Sequence, residues 1–243
     1  MNVIINFRDF GGYPAEGGRR LKKGWLYRSG TVNKAGRRDP AMLQSLGIKT
    51  LVDLRSARER KREVRLWPGA RLISLPMAFD ELTRERLMPL LFKRGAEGAI
   101  IDMIEGVYRE TVDRSCPQLT ELFRLLALPE VYPVLIFCRA GRDRTGFVSA
   151  VIQLALGVGA EDVVADYLRS NAYFLPQARR ALAALRVVSL GRRRGTRAEA
   201  IEVDMVRRRD IEPSSLPHEG LGPFLGRMDE VPDEQLLADG HAV

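Results

Sequence analysis

Residues 132–137, Tyr-Pro-Val-Leu-Ile-Phe, are an unbroken apolar run that leads straight into Cys138-Arg139-Ala140-Gly141-Arg142-Asp143-Arg144-Thr145-Gly146 and then an apolar helical stretch over 147–156. A run apolar at every position is the pattern of a strand buried on both faces, and such a strand needs helices on both faces. Strand, glycine-bearing loop and helix in immediate succession therefore restrict the chain to an α/β sandwich, a central, mainly parallel sheet flanked by helices. The flanking segments agree. Asp39 as N-cap, Pro40 at the first helical position and Gly47 after Leu46 bound a helix. Residues 48–54 read as a strand, the charged run 55–62 as a solvated helix, and 70–75 as a short strand that stops at Pro76. Ile100, Ile101, Ile104, Val107, Tyr108 and Thr111 share one helix face, and Ser115-Cys116-Pro117 opens another helix carrying Leu119, Leu122, Phe123 and Leu126. Two more helices are expected over 160–170 and 176–186. Residues 1–188 thus read as one domain, followed by a basic, turn-rich appendage over 189–243.

The chain has 243 residues, 45% of them hydrophobic, so it can bury a sizeable core. Its longest apolar stretch, 147–160, is broken by Ser149, Gln153 and Gly157 and falls short of a bilayer of roughly 30 Å. Residues 1–8 show neither a basic leader nor a small-residue cleavage site. A cytoplasmic protein is expected, although export by a route without a signal peptide stays compatible. Two cysteines, Cys116 and Cys138, make no disulfide framework, and His218 and His241 lie far from both, so neither a metal nor another cofactor is expected. Lys and Arg exceed Asp and Glu by 39 to 31, a net charge of +8, which suits an anionic partner. Small phosphates and peripheral contact with an anionic membrane fit this charge. No nucleic-acid partner is expected, because only the basic cluster at Arg192, Arg193 and Arg194 speaks for one.

The loop carries the chemistry. Between a buried strand and a helix N-terminus, the backbone N–H groups of Arg139, Ala140, Gly141, Arg142, Asp143 and Arg144 converge on one spot, which is a phosphate cradle. Cys138 in that field is expected as a thiolate nucleophile. Arg144, six residues after the cysteine, is expected to take two phosphoryl oxygens in its planar fork. Thr145 is placed to hydrogen-bond the sulfur as it leaves, and Gly141 and Gly146 give the tight loop its backbone freedom. Asp143 is a candidate general acid within the loop itself. Cys116 precedes a proline with no glycine or arginine fork after it, and reads as a core or capping residue. Asp53 with Arg55, and Arg8 with Asp9, read as braces of the fold. Two other readings compete. Cys-Arg-Ala-Gly also opens a rhodanese-type sulfurtransferase loop, but that loop commonly has its second arginine five residues after the cysteine, where Asp143 stands. A catalytically weak phosphate-binding module is the other.

Asn6-Phe7-Arg8-Asp9-Phe10-Gly11-Gly12-Tyr13, Leu26-Tyr27-Arg28-Ser29-Gly30, Val52-Asp53-Leu54-Arg55-Ser56 and Ala165-Asp166-Tyr167-Leu168-Arg169-Ser170-Asn171 accompany the loop. With these blocks, over about residues 5–175, the chain resembles the bacterial protein tyrosine phosphatase family of dual and triple specificity, which includes mycobacterial and listerial secreted phosphatases. The resemblance implies a tyrosine phosphatase fold, no metal, and phosphorylated proteins or phosphoinositides as partners. It also implies a general acid at Asp80, which stands where relatives carry one. Phe137 replaces the family's usual histidine, Arg142 replaces its lysine after the loop glycine, and residues 189–243 do not match its C-terminal helices.

Overall fold

The computed structural model describes residues 4–32, 38–60, 64, 66–77, 97–174 and 237–239. In chain order the strands are β1 (Arg8–Asp9), β2 (Arg19–Leu21), β3 (Leu26–Ser29), β4 (Thr50–Asp53), β5 (Arg71–Ser74), β6 (Val134–Phe137) and β7 (Leu237–Asp239). The helices are α1 (Arg38–Ser45), α2 (Glu97–Arg114), α3 (Cys116–Leu126), α4 (Asp143–Ala155) and α5 (Ala160–Arg169). Five strands form one sheet in the order β1-β3-β6-β4-β5, in which β3, β6, β4 and β5 run parallel and β1 is an antiparallel edge. The expected α/β architecture with a mainly parallel sheet is the one observed.

The centre of that sheet is β6, whose four side chains are fully buried. Alternate residues feed opposite faces, as the period of two requires. Val134 and Ile136 join a cluster with Leu119, Leu122 and Leu126 of α3 and Val148, Val151 and Ile152 of α4. Leu135 and Phe137 join a second cluster with Leu43 of α1, Ile48 and Leu51. Each such side chain contributes about 1.5–3 kcal/mol of transfer free energy, which makes β6 the anchor of the sheet. The face expected of α3 is the face it buries, at Leu119, Leu122, Phe123 and Leu126. Gly47 and Gly157 close α1 and α4 with positive φ values of 69° and 78°.

Two expectations change. In the charged run, residues 57–59 form a turn rather than a helix, because Arg55 is buried against Asp53 and Ser56 N–H donates to Glu59 across three residues; residues 61 and 62 lie outside the described residues. The helix after the loop starts at Asp143 rather than 147, since Gly146 N–H already closes a turn on the Arg142 carbonyl at 2.7 Å. Beyond residue 188, β7 pairs antiparallel with β2, Arg19 opposite Asp239 and Leu21 opposite Leu237. The expected helix over 176–186 and residues 189–236 lie outside the described residues. Helix α2 belongs to a second compact unit, Ala78–Arg114 with Leu168–Leu216, and the sheet to the first, Met1–Met77, Ser115–Tyr167 and Pro217–Val243. Among the described residues no helix is long and apolar enough to cross a membrane.

Candidate active site

The parallel strands bring their carboxyl ends to one level, where α/β sheets place their sites. Ser29 of β3, Phe137 of β6 and Asp53 of β4 stand in register. The three segments that leave those ends are tied together: Thr31 N–H donates to the Arg139 carbonyl at 3.1 Å and Leu54 N–H to the Phe137 carbonyl at 2.9 Å. Asp53 accepts Arg55 through both carboxylate oxygens, and Arg55 reaches on to the Thr31 hydroxyl at 3.0 Å and lies over the Phe137 ring. The pair braces the strand end, as expected.

From the end of β6 a loop of residues 138–142 turns into α4. Cys138 is buried, and its Sγ accepts the backbone N–H of Gly141 at 3.2 Å, so the loop curls around the sulfur. Gly141 must be glycine. Its φ is +70°, and a Cβ there would stand 2.4 Å from the Ser29 carbonyl carbon and 2.5 Å from the Gly30 nitrogen. Arg139 is exposed at the rim, while Ala140 and Arg142 are half-buried. Asp143 opens α4 and pairs with Arg142 at 3.1 Å.

Arg144 is buried and points to a carboxylate that the sequence did not reveal. Its Nη1 and Nη2 meet the two oxygens of Glu59 at 2.5 and 2.8 Å, and Nη1 also donates to the Leu54 carbonyl at 3.3 Å. The fork expected to hold phosphoryl oxygens is thus held end-on by Glu59. An acidic residue inside an otherwise basic run was the only available signal. The Thr145 hydroxyl is buried and, among the described residues, makes no hydrogen bond, so its expected bond to sulfur is not formed here. Asp80 lies outside the described residues. Cys116, half-buried, starts α3.

Behind the loop the N-terminal block, β3 and α5 meet. Arg8 donates to Asp166 through Nε at 2.9 Å and to its carbonyl at 2.8 Å; Arg28 Nη1 reaches the same carboxylate at 2.7 Å. The Tyr13 hydroxyl adds a bond to Asp166 at 3.3 Å, and Arg8 also donates to the Asn6 side chain. Burial would lift the Asp166 carboxyl, but Arg28 and Arg8 outweigh it and hold it below its ordinary 3.8. The stability it contributes is therefore complete above that value and is lost as pH falls through the lower, folded one. Burial first, then the Arg8 charge, bring Arg28 down to about 10, so it stays cationic at neutral pH. Asp9 caps backbone N–H groups of Gly11 and Gly24 at 2.8 and 2.6 Å, the bracing role expected of it.

Comparison with known proteins bears on this arrangement. A Cupriavidus necator protein, whose name assigns it provisionally as a tyrosine-protein phosphatase, is 36% identical over 70% of this chain and 62% of its own. The triple specificity protein phosphatase PtpB of Mycobacterium tuberculosis is 34% identical over 68% of this chain and 66% of its own. The chain therefore spans a little under two thirds of either relative. Among solved structures, P. aeruginosa TpbA is 20% identical, with a TM-score of 0.32 over 64% of this chain and 82% of that one. The model of the tyrosine phosphatase family matches residues 1–208. Because that match takes in every segment that builds the Cys138 loop and its support, the chain belongs to the tyrosine phosphatase family.

Proposed function

We propose that this chain hydrolyses phosphate monoesters, phosphotyrosine foremost, through a phosphocysteine on Cys138. The observation that carries the reading is the Cys138 sulfur facing the Gly141 N–H inside a short loop that runs from a buried strand into a helix N-terminus. In the first step the Sγ thiolate attacks phosphorus, an S–P bond forms, and the bond to the ester oxygen breaks. That oxygen takes a proton from a carboxylic acid. In the second step water attacks the same phosphorus, gives its proton to the carboxylate, and the S–P bond breaks to return the thiolate and inorganic phosphate. The loop N–H groups of residues 139–144 cradle the phosphoryl oxygens. Since Glu59 holds the end-on edge of the Arg144 guanidinium, we assign the phosphate to its side-on edge, Nε with Nη2. The Thr145 hydroxyl turns to the sulfur in the second step. A reducing compartment, the cytoplasm, belongs to the same proposal, because the nucleophile must stay a free thiol.

The acid is assigned to Asp80, since Asp143 is engaged by Arg142 and by the helix end. Asp80→Asn is expected to slow a phosphoserine substrate, whose alkoxide leaves poorly, by about 10² to 10⁴ while changing p-nitrophenyl phosphate turnover little. Steady-state rates of both substrates check this. The same dependence in Asp143→Asn, with Asp80→Asn silent, transfers the role to Asp143.

Substrates in this proposal extend to phosphoserine, phosphothreonine and phosphoinositides. Support comes from the triple specificity named for the mycobacterial relative and from exposed Arg139 beside half-buried Arg142 at the loop rim. Arg142→Ala is expected to lower phosphoinositide turnover several-fold more than that of a neutral phosphotyrosyl peptide, because a polyanionic head group uses more of the rim charge. Phosphate release from the two substrates measures it, and equal losses remove the lipid from the proposal. Phosphate binding without release from any of these esters would leave a binding module in place of an enzyme.

A further inference from the structure

The blocks around Asn6, Arg28 and Asp166 stand out in the sequence, yet no step above uses them. Asn6 and Arg28 converge on one atom, the carbonyl oxygen of Gly141, and Asp166 holds Arg28 from behind. Asn6 Nδ2 donates to that oxygen at 2.6 Å and Arg28 Nη2 at 3.1 Å. We infer that Asn6 and Arg28, braced by Asp166, are positioning residues that set the phosphate loop by pinning the Gly141 carbonyl. The carbonyl and the following N–H of a trans peptide point opposite ways. Drawing the Gly141 carbonyl back toward Asn6 and Arg28 therefore turns the Arg142 N–H the other way, and holds Gly141 where its own N–H meets the Cys138 sulfur. Two donors on one carbonyl also polarise that peptide and strengthen its N–H as a donor.

Arginine suits this task. Its planar fork gives Nη1 to Asp166 and Nη2 to Gly141, two acceptors that a lysine ammonium does not span with the same fixed geometry. Burying a guanidinium is costly, and an ion pair with Asp166 alone is a weak reason for it. The fit is close: a Cβ at Gly146 would stand 2.5 Å from the Tyr167 ring and 3.1 Å from Arg28 Nη2. Asn6 has a φ of +56°, a conformation that glycine also adopts, so Asn6→Gly removes the amide and keeps the backbone.

The turnover consequence rests on the phosphatase reading, so the test reads the loop directly. Asn6→Gly and Arg28→Lys are compared with the parent for melting temperature, for the rate at which iodoacetamide alkylates Cys138 at pH 6, followed by peptide mass, and for calorimetric affinity for inorganic phosphate. Asn6→Gly is expected to weaken phosphate binding and slow alkylation by about fivefold each, the size of one lost hydrogen bond. Arg28→Lys does the same more strongly. Parent-like binding and alkylation in a folded variant overturn the inference, even if the melting temperature falls, because the contacts would then serve stability alone. Should Asn6→Gly not fold, Arg28→Lys decides. If the parent hydrolyses no phosphate ester while the variants still weaken binding and alkylation, the phosphatase reading fails and the positioning role stands.

Discussion

Cys138→Ser is expected to lower p-nitrophenyl phosphate turnover by about 10⁴-fold or more, because a serine hydroxyl is not ionised near neutral pH and no second nucleophile stands in the loop. The fold should be nearly untouched. Cys138 is 2% exposed, the exchange leaves the side chain's size almost unchanged, and the hydroxyl inherits the Gly141 N–H as its donor. Inorganic phosphate should still bind, since the cradle is backbone. Rate, melting temperature and phosphate affinity, measured on one preparation, separate these statements. Serine turnover above a trace would overturn the thiolate mechanism. Rates of the parent should also be the same with and without EDTA, because neither step draws on a metal.

Gly141→Ala is expected to fail for a different reason, and nearly as completely. Its Cβ would enter the space of three backbone atoms, at 2.4, 2.5 and 2.6 Å, all at the end of β3. Those atoms belong to Ser29 and Gly30, and Ser29 is paired in register with Phe137, so they move only if the sheet end opens. Overpacking of this kind costs about 1–3 kcal/mol, and the positive φ adds about 1–2 more. At roughly 2–4 °C per kcal/mol, the melting temperature should fall by about 5–15 °C. Turnover should fall by at least about 10², since the N–H that meets the sulfur is displaced. Gly47→Ala is the control. Its φ is also positive, at 69°, but nothing lies within 4 Å of the added carbon, so only the smaller conformational cost applies. Equal effects in the two variants would contradict the close approach described for Gly141.

The elements that the sequence revealed are those whose signal is local. β6 is apolar at every position because both faces are covered, and α3 shows its buried stripe at Leu119, Leu122, Phe123 and Leu126 within a few turns. The cysteine loop was legible for the same reason, since strand, glycine and arginine are contiguous. Glu59 was not, because a charged run reads as solvated unless its tertiary partner is known, and Arg144 lies 85 residues away. The pairing of β2 with β7 left no mark either, as three-residue strands are too short to show a period. Arg8 and Asp9 were legible as braces, but not what they brace.

Arg8 and Asp166 are 158 residues apart in the chain, and Asn6 and Gly141 are 135 apart. Contacts of such separation close late, because distant parts of the chain must first be brought together. During synthesis Asn6, Arg28 and Cys138 all emerge before Asp166, so the carboxylate that braces Arg28 is the late partner of the loop. Asp166 then closes the joint behind the loop, fixing Arg8 and Arg28 in place once α5 has been made.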